Sequence, residues 1–274
     1  MILSILMIAA PLLLLTLGAL TSEYAGRLAM FLEHVINLGA FLCYALTLAT
    51  GSAVFGTLLS VVLCSLAVCA LERTAARLGA NMFLVSLAMN LLFAALVTLL
   101  SALIFGTRGV LSSAAFRYSA TAMRRTTSLV CYALVALLIG FMRGTTAGLA
   151  LRVTGSASDV LTAAGINAER YRTVSWLIAA ASGALAGCVL TLRLSSFVPG
   201  VSAGRGWTAL AAVFLGRRHP LAVVPAVLLF ASAEYASTTI QNIAPFARVP
   251  SSLLLALPYL LALVLIIAVP QKKD

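Results

Sequence analysis

Glu33 and Glu234 each stand inside a long apolar run. A lone ionised carboxylate is costly in hydrocarbon, so such a group faces a cavity or takes a cation as partner. Arg193 and Arg205 are the cations available for pairing; pairing is the expectation for Glu234, whereas Glu33 is placed equally as a pathway-lining group or at the headgroup interface. Asn90, Ser86, Ser182, Thr191 and Gln241 add neutral donors and acceptors that can hold a polar solute or, more commonly, a neighbouring helix. Phe197 and Trp207 flank a break rich in glycine, with Pro199, Gly200, Gly204 and Gly206. Aromatic rings there can stack on a flat solute or anchor the chain at the membrane surface.

Other chemistries lack their residues. A phosphate cradle of the GxxxxGK[ST] type does not occur, and the only lysines, Lys272 and Lys273, stand at the far C-terminus. Neither an ATP site of that type nor a Schiff-base lysine is therefore expected in the body of the chain, and any ATP hydrolysis must be supplied by a partner chain. The five cysteines fall in apolar runs without paired ligand spacing, and the two histidines, His34 and His219, are far apart, so no metal is expected. Ser156 has no histidine near it in sequence to act as base, which argues against a membrane hydrolase.

The elements that position these residues are helices in a bilayer. Of 274 residues 62% are hydrophobic and 9% charged, against about 25% charged in a soluble domain. The apolar residues collect in runs near 1–20, 29–50, 52–71, 82–105, 128–142, 174–194, 207–215, 219–240 and 251–269. Most match the roughly 20 residues needed to cross a bilayer as helix, and their continuity excludes the alternation of a β-barrel. The expected fold is all-α, a single transmembrane bundle over 1–274 with about 8–10 spans. The first run lacks the basic leader and cleavage site of a secretory signal and is kept as a span. The net charge of +11 resides in short links, without the aromatic interleaving of a nucleic-acid surface.

Gly206 to Gly216 is too short to cross alone, so with Ser195 to Arg205 it is expected to form a broken or re-entrant span beside a protein-lined cavity. Placing the Arg143 to Arg172 link, Arg217-Arg218 and Lys272-Lys273 inside gives about nine crossings with the N-terminus outside. The link 106–127, with Arg108, Arg117, Arg124 and Arg125, then faces outward against the positive-inside trend.

The Arg143 to Arg172 link reads as a compact projection. Ser156 or Ser158 can cap a short helix, Asp159 suits its positive end, and Gly165 can end it in the left-handed conformation before Asn167 to Arg172 opens another. An elbow of this kind fits a partner's groove.

From Ala164-Gly165-Ile166-Asn167 through Gly204-Arg205-Gly206 to Gly216, Arg217, His219 and Pro220, the chain resembles the ABC importer permeases of the branched-chain amino acid, ribose and nucleoside type, nearest the nucleoside and riboflavin branch. Upstream, Ser22-Glu23 with Gly26, and Gly39-Ala40-Phe41, are similar to early elements of that family. Ala29, Met30, Phe31 and His34 depart from its Asn-Ile-Gly-x-Glu-Gly around Glu33.

The resemblance implies a permease subunit for a nucleoside-like solute in a bacterial inner membrane, with a cytoplasmic coupling segment near 152–172. Ser156, Asp159, Ala164, Gly165, Ile166, Asn167 and Arg170 are its coupling candidates; Glu33, Asn90, Phe197, Gly204, Arg205, Gly206 and Trp207 are the pathway candidates. It also implies a second homologous permease chain, two ATP-binding subunits and an extracellular or lipoprotein solute-binding protein, besides membrane lipid. The alternative, an ion-coupled secondary transporter, calls for matched buried carboxylates in two internal repeats, and Glu33 and Glu234 supply these poorly.

Overall fold

The computed structural model describes residues 1–240; the expected span at 251–269, Gln241 and Lys272-Lys273 lie outside the described residues. Among the described residues seven helices are long and apolar enough to cross a membrane: α1 (Ile2–Tyr24), α2 (Leu32–Thr50), α3 (Ala53–Arg77), α4 (Met82–Phe105), α5 (Ala120–Gly144), α8 (Ala168–Leu194) and α10 (Val223–Ile240). Between them lie the shorter α6 (Thr146–Ser156), α7 (Ser158–Ala163) and α9 (Arg205–Leu215). The chain is a polytopic helical bundle, as its apolar runs require.

Burial divides the helices into two classes. In the most apolar windows of α1, α2 and α8, 61%, 67% and 61% of residues are buried, against 22% in α3 and 28% in α4 and α5. The first three form the centre; the others present Phe55, Leu58, Leu91, Leu103 and Leu129 to lipid. Since lipid is as apolar as leucine, the centre is held by close approach of backbones rather than by exclusion of water. Gly39 and Gly187 make that approach: a Cβ on Gly187 would lie 2.0 Å from the Ile36 carbonyl oxygen, and one on Gly39 would lie 2.5 Å from Ala184 Cα. Ser60 of α3 donates to the Gly39 carbonyl at 2.9 Å, closing a three-helix junction.

Contacts at the helix ends fix the direction of each crossing. Arg27, in the α1–α2 link, meets Glu72 near the end of α3 at 2.7 Å and Glu169 at the start of α8 at 2.5 Å. Arg193 at the other end of α8 donates to the Met7 carbonyl at 2.7 Å and to Thr127 and Ser128 of α5 at 3.0 and 2.8 Å. Among the described residues Arg193 thus pairs with no carboxylate; it fastens α8 to α1 and α5. The end with Arg27 also gathers Arg73, Arg77, Arg143, Arg152, Arg170, Arg172, Arg217 and Arg218, and the positive-inside trend makes it cytoplasmic.

On the opposite face the 106–119 link stays largely exposed but is pinned to the bundle through its buried residues Leu111 and Phe116. Leu111 and Phe197 exchange backbone hydrogen bonds of 2.9 Å, and Phe116 stacks against Tyr44 with centroids 4.9 Å apart. Helix α5 begins at Ala120, earlier than its apolar run at 128, so Arg124 and Arg125 are helical. The cytoplasmic projection differs too. It opens with α6, which hydropathy alone does not reveal, capped by Thr145, whose Oγ1 accepts from Gly148 N at 3.0 Å. Neither Ser156 nor Ser158 caps α7: Ser156 ends α6, Ser158 begins α7, and Ala157 occupies the cap without a side-chain bond.

Candidate functional site

Helix α8 ends at Ser195, whose φ of 53° turns the chain back toward the bundle. The next residues cannot continue as helix, since Pro199 lacks an N–H and Gly200 and Gly204 adopt φ of 72° and 78°. The chain therefore enters the bundle unwound and becomes helical only at Arg205. Eleven residues of α9 rise about 16 Å, roughly half of a hydrocarbon core. The expected discontinuous span is present, with the helical half next to the cytoplasm.

Glu33 closes the tip of this half-helix. Its Oε1 accepts from Ser202 Oγ at 2.5 Å and Gly204 N at 2.7 Å, and its Oε2 accepts from Gly206 N at 2.8 Å. A helix start carries partial positive charge and unpaired amides, so the carboxylate satisfies both at once. Gly206 is required for the approach, because a Cβ there would lie 2.6 Å from the Glu33 backbone nitrogen. Asn37, one turn after Glu33, donates to Ser202 Oγ at 2.8 Å and accepts from Ser202 N at 3.1 Å. Glu33 is thus committed to the helix tip and, among the described residues, pairs with no arginine.

Arg205 instead pairs with Glu234 of α10, the partnership expected for Glu234. Their side chains remain 23% and 25% exposed, and Trp207, two residues along α9, is 41% exposed. Phe197 is fully buried, 5.4 Å from the Phe41 ring. Asn90 is buried as well; its Oδ1 accepts from His34 N at 3.2 Å and lies 3.0 Å from His34 Nδ1, joining α4 to α2. Ser86 accepts from Met30 N at 2.7 Å and serves the same joint. Asn90 and Ser86 thus tie α4 to the start of α2, and Phe197 packs the break against α2. Ser182 lies against Gly18, and Thr191 Oγ1 is buried with no hydrogen-bond partner.

At the cytoplasmic end the elbow takes the expected shape. Gly165 is left-handed at φ 74°, and Asn167 caps α8, its Oδ1 accepting from Arg170 N at 3.3 Å. Asp159 stands in the first turn of α7, and Ala164 is its C-cap. Gly165, Ile166, Asn167 and Arg170 line an open cavity of about 680 Å³ together with Phe141, Leu151 and Tyr171. Leu149, Val160 and Ile166 are exposed at this end of the bundle, Ile166 beside Arg170 in the cavity lining.

Asn37, Ser202 and the Arg27 cluster escaped the sequence reading. Asn37 carried a usable signal, standing four residues after Glu33 on one helical face, as did Ser202 just before a glycine-rich helix start. Among the described residues no group of three or more His, Cys, Asp or Glu is placed to hold a metal ion.

The comparisons agree with this architecture. The family model described as branched-chain amino acid transport system / permease component matches residues 1–270. The chain is 28% identical over 138 residues to the guanosine ABC transporter permease protein NupQ of Bacillus subtilis, covering 50% of this chain and 43% of that protein. It is likewise 28% identical over 120 residues to the nucleoside ABC transporter permease protein NupC of Lactococcus lactis, covering 43% of this chain and 38% of that one. The matched stretch thus spans less than half the length of either relative. A chain in the structure of PsaBC from Streptococcus pneumoniae in complex with Fab superposes with a TM-score of 0.57 over 97% of this chain and 91% of its own length; at 11% identity that likeness concerns the fold.

Proposed function

The chain belongs to the branched-chain amino acid transport system / permease component family, and from that premise we propose that it is the membrane-spanning permease subunit of an ATP-binding cassette importer for a nucleoside-like solute. The observation that carries the reading is the exposed elbow at Val160, Gly165 and Ile166, set beside Arg170 at the cytoplasmic end of a bundle that contains a discontinuous span. Exposed apolar side chains next to a cation suit a docking partner, and an unwound crossing suits a pathway.

In this reading two ATP-binding subunits supply hydrolysis and Mg, one of them gripping the elbow of this chain. A second homologous permease completes the pathway, and an extracellular or lipoprotein component delivers solute. Trp207 offers a ring for a nucleobase, while Arg205 and Glu234 offer donors and acceptors to the sugar. Glu33, Gly204 and Gly206 hold the break in place, and Asn90 and Phe197 brace it from behind. The guanosine and nucleoside permeases among the relatives favour a nucleoside. Riboflavin, with a flat heterocycle and a polyhydroxyl arm, is the second solute to try.

Reconstitution of this chain with its sister permease, ATPase subunits and binding protein tests the reading. Uptake of labelled guanosine should require ATP and all components. Full-rate uptake by the chain alone on a proton or sodium gradient would establish a secondary transporter instead.

A further inference from the structure

We propose that Glu23, Tyr24 and Arg218 are positioning residues that carry movement of the elbow to the base of the broken span; this rests on the permease reading above. The end of α1 is held between two elements. On one side Gly155, in the last turn of α6, lies so near α1 that a Cβ there would be 2.4 Å from the Tyr24 carbonyl oxygen, and Gly26 packs on the Gly155 backbone in turn. Backbone meets backbone, so α6 cannot shift toward this point without displacing the end of α1.

On the other side, Tyr24 Oη donates to the Arg218 carbonyl at 2.6 Å and Glu23 Oε1 accepts from Arg218 Nη2 at 2.9 Å. Arg218 belongs to the turn that ends α9, and this turn is strained. Arg217 and Arg218 have φ of 49° and 55°, two successive left-handed residues where glycine is usual. Their amides are held by Phe214 O and Val213 O at 2.9 and 3.0 Å. The grip from α1 adds a side-chain hydrogen bond and an ion pair to a conformation that the backbone alone disfavours.

Helix α9 is thereby held at both ends. Glu33 fixes its tip from α2, and α1 holds its base through Arg218. A push on α6 reaches the base through α1 and swings the cytoplasmic half of α9 about the Glu33 contact, changing its angle to the bundle. Arg218 is 60% exposed at the ion pair, and so open a pair contributes little to stability; its value lies in connection.

The test uses the complete assembly in proteoliposomes, comparing solute moved per ATP hydrolysed. Arg218→Ala and Glu23→Gln should keep the subunits together and hydrolysing ATP while lowering that ratio roughly tenfold, within the range of one coupling contact. Tyr24→Phe should lower it less, and the exchange Glu23→Arg with Arg218→Glu should restore much of it. An unchanged ratio in both single variants, or equal loss of hydrolysis and uptake at constant ratio, would overturn the assignment. Failure of the permease reading itself would appear already in the unmodified chain, as no ATP-driven uptake.

Discussion

The backbone N–H of Gly206 meets Oε2 of Glu33 at 2.8 Å across 173 residues of chain, and this bond sets the depth at which the broken crossing turns helical. Both groups would be costly alone at that depth, one as a bare charge and the other as an unpaired amide. Together they form a joint between α2 and α9 that Ser202 and Asn37 complete.

Glu33→Gln should loosen that joint. The amide keeps one acceptor oxygen but turns an NH₂ toward a backbone donor, and the loss of charge-assisted bonds costs about 2 kcal/mol. Thermal unfolding of the purified chain in detergent should shift downward, with Glu33→Ala shifting it further. Equal melting temperatures for all three proteins would refute a role at the helix tip.

Gly187→Ala should be worse tolerated than Gly183→Ala. The first Cβ would strike the Ile36 carbonyl oxygen at 2.0 Å, whereas the second would meet the flexible tip of Leu32 at 3.2 Å. Overpacking of this kind costs about 1–3 kcal/mol, and the order of the two melting temperatures checks it.

Arg27→Met should destabilise the cytoplasmic end by about 3 kcal/mol, because Glu72, 1% exposed, would keep only the Thr173 hydroxyl as a partner. Adding Glu72→Gln should recover most of the loss. A double-mutant cycle on denaturant midpoints measures the coupling, and purely additive effects would dismiss it.

The spans were readable because hydrocarbon imposes both length and continuity on them. The broken crossing was readable too: its glycines, Pro199 and the shortness of 206–216 leave no other way through. Glu33 shows where legibility stops. Its run and its charge mark it as unusual, yet its partners are backbone amides far along the chain, and an amide has no identity in a sequence. Helix α6 escaped for another reason. It lies outside the long apolar runs, and Thr145 reveals its capping role only once the turn before Gly148 is known. Ala157, in turn, caps α7 by backbone position where serines on either side had the better side chains.

Gly165→Pro should separate hydrolysis from uptake. Proline cannot adopt φ 74° and removes the N–H that bonds the Thr162 carbonyl at 3.0 Å. Membrane insertion should be normal and ATP use should persist while uptake falls at least tenfold, a loss of the size single coupling contacts produce. Unaltered uptake would speak against the elbow as the docking element.

Trp207→Ala should weaken handling of aromatic solutes more than folding, since its side chain is already 41% exposed. The expected result is a several-fold lower uptake efficiency for guanosine, matching the roughly 1–3 kcal/mol of base stacking on an aromatic ring, with Trp207→Phe retaining part. Equal efficiencies in the alanine variant and the parent would place the solute elsewhere.

The seam between α2 and α8 also governs how the protein is made. Its two halves leave the ribosome far apart in time, with α3, α4 and α5 emerging between them, so Gly39 on α2 waits in the bilayer for its partner helix while the outer helices arrive. The seam between α2 and α8 therefore closes only after α3, α4 and α5 have been made, and a nascent chain cut short before Ala168 would lack half of its centre.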